Sequence, residues 1–122
     1  MRFLYFVPAI LYMAFIFYLS SIPVLTPPEF GVDPERIIPH LVEFSILGIL
    51  FSIGLIKNGY KRGLLILVSV VGILYGLSDE IHQFFVPNRI FSLVDWGADS
   101  LGVVLGIVIV YALYRKYRKP KE

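Results

Sequence analysis

The sequence predicts an all-α membrane protein: a four-helix transmembrane bundle with both termini in the cytoplasm. Three observations carry that prediction. Hydrophobic residues make up 57% of the 122 residues, and the mean hydropathy is +0.78. A soluble domain is about half apolar even with glycine counted. The apolar residues come in four blocks, at about residues 3–21, 37–56, 63–85 and 92–114, each near the roughly 20 residues a spanning helix needs. Charge is sorted between the ends of those blocks. Arg2, Lys57, Lys61, Arg62, Arg115, Lys116, Arg118, Lys119 and Lys121 fall on the side of the termini and of the second-to-third connection; only Arg36 and Arg89 fall on the other. Nine of the eleven basic residues on one side puts that side in the cytoplasm. The whole chain, 1–122, reads as a single domain integral to the cytoplasmic membrane, with no room for a soluble one.

The first run opens behind Arg2. A cleaved signal peptide opens in the same way, but this run is long for one and no A-x-A site follows, so a retained helix is expected. Pro8 is expected to distort its first turns. Residues 20–36 (SSIPVLTPPEFGVDPER) carry Pro23, Pro27, Pro28 and Pro34 and read as a loop, made acidic by Glu29, Asp33 and Glu35. In the second run, Pro39 is expected in the first helical turn, where a missing N–H costs nothing. His40 and Glu43, three apart, share a face. Residues 57–62 (KNGYKR) form a basic turn broken at Asn58-Gly59.

The third run ends in the polar sequence Asp79, Glu80, His82, Gln83 and is stopped by Pro87. The fourth opens at Ser92, with Asp95 three residues on: an N-cap followed by an acidic residue. Trp96 reads as an interface anchor. Gly102 and Gly106 form G-x-x-x-G, which lets another helix approach closely. The basic tail from Arg115 reads as frayed.

Acidic residues show the reverse bias to basic ones. Glu43, Asp79, Glu80, Asp95 and Asp99 all fall within the outer ends of helices two, three and four. At about 1.5 Å per residue, they occupy one shallow layer of the outer leaflet, with His40 and His82 slightly nearer the surface. Ionisable groups inside a membrane are costly, which makes this layer the candidate functional site. Glu43, Asp95 and Asp99 lie near helix N-termini, where negative charge is favoured by about 0.3–1 kcal/mol. Asp79 and Glu80 lie near a C-terminus, where it is not. One of those two is expected to hold a proton while the other pairs with Arg89 or a histidine, the arrangement acid–base chemistry uses.

Other chemistries fit less well. His40-x-x-Glu43 and Asp79-x-x-His82 have the spacing of carboxylate–histidine metal sites, but such short motifs arise by chance, and the reading carries no metal and no cofactor. An ion pathway is disfavoured because the cytoplasmic halves of the helices are almost without polar groups. Cysteine is absent, so no disulfide arises. The basic residues are short juxtamembrane clusters with no reading motif, which argues against nucleic acid.

The same residues carry a resemblance. Ser20, Ser21 and Pro23 close the first helix. His40 is followed by Glu43 and Phe44. Asp79, Glu80 and Gln83 lead into Val86, Pro87 and Arg89, then Asp95 before a helix of small residues at Gly102. In this pattern the chain resembles the VanZ-like membrane proteins, named for a protein associated with low-level teicoplanin resistance. It departs from many of them at Arg36 and Ile37, where they have Asp-Lys, at Phe44, where they have Tyr, and at Asp99, where they have Asn. The resemblance implies a cell-envelope role and an association with glycopeptide resistance.

The combined reading is an outer-leaflet acid–base site for an amphipathic substrate, a phospholipid or a polyprenyl-linked envelope precursor. Glu80 or Asp79 is the expected acid or base, with His40 or His82 as partner. Arg89 is expected to hold a phosphate or carboxylate, and Gln83, Glu43, Asp95 and Asp99 to complete the binding site. No nucleophile stands out, although Ser20 and Ser21 fall nearby. Two other readings stay open: a non-catalytic protein that binds a lipid or a partner, and a complex subunit that docks through Gly102 and Gly106.

Overall fold

Helices need satisfied ends, and the ends of these four show why they start and stop where they do. The computed structural model describes residues 1–25 and 32–118. Within them lie a 3₁₀ turn (Phe3–Phe6) and four α-helices: α1 (Val7–Ser20), α2 (Pro34–Lys57), α3 (Arg62–Phe84) and α4 (Leu93–Arg118). No strand occurs among the described residues. All four helical segments are long and apolar enough to cross a membrane. Their outward faces are exposed Ile, Leu, Val and Phe, such as Ile66, Leu74, Leu101 and Val108, which only lipid can cover without cost.

Pro8 occupies the opening of α1, and the turn before it is 3₁₀ rather than α, as the missing N–H predicts. The second helix departs from expectation. It begins at Pro34, not near residue 37, because Asp33 caps it by accepting from the Glu35 N–H at 3.0 Å and Pro34 supplies a pre-set φ at the first position. Pro39 therefore lies inside the helix rather than in its first turn, and it forfeits the bond to the Glu35 carbonyl. Arg36 moves from loop to helix, one turn before His40. Pro27, Pro28 and Glu29 lie outside the described residues, as does the tail from Lys119. What is described of that tail is helical to Arg118. Arg115 and Arg118 each donate to the tyrosine four residues earlier, Tyr111 and Tyr114, and positive charge suits a helix C-terminus.

The closest pair is α2 with α4; α3 packs on both, and α1 packs on α2 and α3. A seam of glycines sets the α2–α4 distance. A Cβ on Gly102 would lie 2.6 Å from the Leu41 carbonyl oxygen, and one on Gly106 or Gly48 would run closer still into the Ser45 or Val103 carbonyl. The G-x-x-x-G stripe is thus buried against α2 of the same chain, and the face on which an outside partner was expected is already taken. On α3, a Cβ at Gly76 would meet the Asp99 Cβ at 3.1 Å. Gly76 therefore makes room for Asp99 beside Asp79 and Glu80, which follow it by three and four residues on the same face of α3.

The connections are tied too. The α2–α3 turn uses left-handed backbone at Gly59 and Tyr60, and Asn58 Oδ1 accepts from the Arg2 N–H at 2.7 Å. At the other end, Asn88 donates to the Val24 carbonyl at 2.8 Å. Trp96 is not only a rim residue. Its indole N–H donates to the Ile73 carbonyl of α3 at 3.0 Å, which fixes the start of α4.

Candidate functional site

The carboxylate layer assembles around His40. Its Nδ1 shares a 2.8 Å hydrogen bond with Asp99 Oδ1 and lies 3.9 Å from Glu80 Oε1, while its Nε2 lies 3.8 Å from Asp95 Oδ2. Asp79, Glu80, Asp95 and Asp99 are all buried, at 3%, 0%, 1% and 0% exposure. Residues nearly 60 positions apart in sequence are thus one cluster, formed from the first turns of α2 and α4 and the last turns of α3.

Arg36, which reads as loop from sequence, completes it. Its Nε lies 3.0 Å from both oxygens of Asp95. The one available signal was spacing: once α2 starts at Pro34, Arg36 stands four residues before His40, on the same face.

The start of α4 is capped across helices. Ser92 Oγ accepts from the Asp95 N–H at 3.2 Å, so the N-cap forms as its sequence implies. In a capping box the acidic residue would return to the Ser92 N–H. Here the Ser92 N–H donates to Glu80 Oε2 at 3.1 Å instead. A carboxylate from α3 does that work, which leaves the Asp95 side chain for Arg36.

Arg89 is not paired with a cluster carboxylate, as had been expected. Its Nε donates to the Ile22 carbonyl at 3.0 Å and an Nη to the Leu19 carbonyl at 3.1 Å. The Leu19 carbonyl also accepts the Ile22 N–H at 3.2 Å, and Ile22 lies just beyond α1; carbonyls at a helix C-terminus carry partial negative charge, which attracts the guanidinium. Of the two partners expected for Asp79 or Glu80, Arg89 or a histidine, it is a histidine that comes close: His40 lies 3.9 Å from Glu80 Oε1, while Arg36 pairs with Asp95.

His82 is also set apart from the His40 cluster. Its ring stacks on Phe17 of α1, centroids 4.3 Å apart, and its Nε2 meets Ser21 Oγ at 2.9 Å. Ser21 in turn donates to the Phe17 carbonyl at 2.8 Å, which casts the imidazole as donor to the hydroxyl. The pair ties α3 to α1. Gln83 bridges the regions: its amide donates to Asp79 Oδ2 at 3.2 Å and to Ser20 Oγ at 3.4 Å.

Two adjoining pockets, of about 330 and 250 Å³, lie above the cluster and share Arg36, His40, Gln83 and Arg89 in their walls. Glu43, half-buried, lines the smaller one. The site is therefore reached through a mouth of mixed charge: the Arg36 and Arg89 guanidinium groups, the His40 imidazole and the Gln83 amide stand with the Glu35 carboxylate in both pockets, with Asp33 and Asp95 in the larger and Glu43 in the smaller. A larger cavity, about 760 Å³, is at the opposite end among Tyr60, Tyr111, Tyr114, Arg62, Arg115 and Arg118. It has no carboxylate in its wall.

No curated protein and no solved structure matches this chain. The VanZ/LLP1 family does, over residues 3–114, a span that takes in all four helices and every residue of the cluster. The protein is a multi-pass membrane protein that belongs to the VanZ/LLP1 family.

Proposed function

We propose that this protein is an enzyme of the cell-envelope membrane whose outer-leaflet site performs acid–base chemistry on a phospholipid or a polyprenyl-linked precursor. The observation that carries the reading is the close group of His40, Glu80 and Asp99 beneath a mouth that holds Arg36 and Arg89. An imidazole 2.8 Å from one carboxylate and 3.9 Å from another is placed to move a proton. Arg89, which is bonded to carbonyls rather than to a carboxylate, supports binding of an anionic headgroup there. Asp79, held by Gln83, stands beside Glu80 and Asp99. The bias of basic residues toward the end with the termini puts the mouth on the outer face of the cytoplasmic membrane. The expected reaction is hydrolysis or group transfer. On the resemblance to VanZ-like proteins we extend the proposal to an association with teicoplanin resistance.

A second reading has its own observation. Glu80 caps α4 through the Ser92 N–H, and a residue with that duty could serve a recognition site or a structural lock that never turns over. The variant Glu80→Gln separates the readings, because it keeps the acceptor oxygen and shape but not the charge. Lipid mass spectrometry of membranes from cells making the wild type, the variant or neither is the measurement. A lipid or lipid-linked species that changes only with the wild type, both proteins being equally expressed, is the result expected of an enzyme. Three identical profiles would sink the catalytic reading in favour of recognition, and loss of the variant from the membrane would mark a lock.

A further inference from the structure

The three innermost carboxylates share a pattern that acid–base chemistry does not require. Each has one oxygen anchored by a hydrogen bond and the other left over. Asp79 Oδ2 accepts from Gln83, Glu80 Oε2 from the Ser92 N–H, and Asp99 Oδ1 is bonded to His40. The opposite oxygens, Asp79 Oδ1, Glu80 Oε1 and Asp99 Oδ2, are buried and have no hydrogen-bond partner among the described residues. One oxygen from each of these side chains falls within 4.8 Å of the other two. Anchoring one oxygen while presenting its twin is how supporting groups orient carboxylate ligands toward a metal.

We propose that Asp79, Glu80 and Asp99 hold one hard divalent cation of the Mg²⁺ or Mn²⁺ class. The donors are all oxygen, which suits such ions better than Zn²⁺ or copper. Three protein oxygens leave the rest of a six-coordinate shell for water or a phosphate oxygen arriving from the pockets above. The cations of the chain near this point are spent elsewhere: Arg36 on Asp95 and Arg89 on the carbonyls at the end of α1. Among the described residues the basic groups that face the triad are two imidazoles, His40 and, toward Asp79, His82, and neither is a fixed cation that would balance three carboxylates. A neighbouring trio, His40, Glu80 and Asp95, also has converging atoms. Both Asp95 oxygens lie 3.0 Å from Arg36 Nε, however, so a metal there must compete with a guanidinium. The inference goes beyond the acid–base reading and does not depend on it. A bound cation assigns Asp79 and Glu80 to holding it and leaves His40 as the group that moves a proton.

The sequence offered other pairs, His40 with Glu43 and Asp79 with His82, by spacing along single helices. The triad spans α3 and α4, and no spacing within one helix reveals it.

Mn²⁺ titration followed by electron paramagnetic resonance tests the proposal, on full-length protein purified in detergent and stripped with chelator. One Mn²⁺ per chain, displaced by Mg²⁺, is expected. Asp79→Asn, Glu80→Gln and Asp99→Asn should each weaken it by about ten-fold or more, and Asp95→Asn by far less. A melting curve for each variant without metal checks that it is folded. If the variants do not fold, the wild type decides: its melting temperature should rise with Mn²⁺ and with Mg²⁺. No bound Mn²⁺ at millimolar free ion, with no rise in melting temperature, would overturn the site and leave shared protons as the means of neutralisation. Binding that Asp95→Asn weakens as much as Asp79→Asn would overturn this ligand set. Mn²⁺ bound as proposed with no lipid altered keeps the cation site and removes the reaction, and lipid turnover without bound metal does the reverse.

Discussion

Arg36 reaches Asp95 with its Nε while keeping only 14% of its side chain exposed, and Asp95 keeps 2%. An ion pair that dry contributes little net stability over an apolar pair, but removing one member leaves a buried charge, at roughly 3–5 kcal/mol. Arg36→Met should therefore lower stability by roughly 3 kcal/mol, and adding Asp95→Leu should restore much of it. Reversible unfolding in detergent micelles gives both numbers. A double variant no more stable than the single one would show that the two side chains are not coupled. The carboxylates themselves were readable from sequence because ionisable groups deep in an apolar run stand out. Their partners were not. Arg36 reads as loop because four prolines precede it within residues 20–36, and Arg89 reads as a partner for an acid because nothing in a sequence marks the carbonyls at a distant helix end.

At the scale of elements, α4 carries Asp95, Asp99, Gly102 and Gly106 at intervals of four, three and four, so one stripe faces inward along its length. The carboxylates sit at one end of that stripe and the glycines continue it, which lets the α2–α4 contact fix the depth of the charges. Gly106→Val should cost more than about 2 kcal/mol, because the new side chain meets the Ser45 carbonyl rather than a flexible group. Gly97 has open space around its Cβ position, and Gly97→Ala should be neutral or stabilise by up to about 1 kcal/mol. Melting temperatures of the two variants in one detergent check the contrast, and equal losses at both positions would refute this packing. The existence and order of the helices followed from hydropathy alone. The start of α2 did not, since the Asp33-Pro34 cap lay hidden in a proline-rich stretch. Nor did the partner of the glycine stripe, because G-x-x-x-G announces a close approach without saying whose helix approaches.

For the whole molecule, the absence of cysteine makes orientation measurable without background. A single cysteine at Asn58 or at Asn88, each in a connection at opposite ends of the bundle, reports its side by labelling with a membrane-impermeant maleimide in intact cells. Label at position 88 and none at 58 is the expected outcome. The opposite pattern would invert the molecule and put the carboxylate site on the cytoplasmic face. One structural feature also bears on how such a chain is made. Helix α2 enters the bilayer with Arg36, His40 and Glu43, and α3 follows with Asp79 and Glu80. Asp95 and Asp99, the groups that Arg36 and His40 bind, and Ser92, which Glu80 caps, all arrive with α4. Synthesis thus delivers the unmatched charges first and their counterparts last. The charges of α2 and α3 find these partners across the bundle only once α4 is in place.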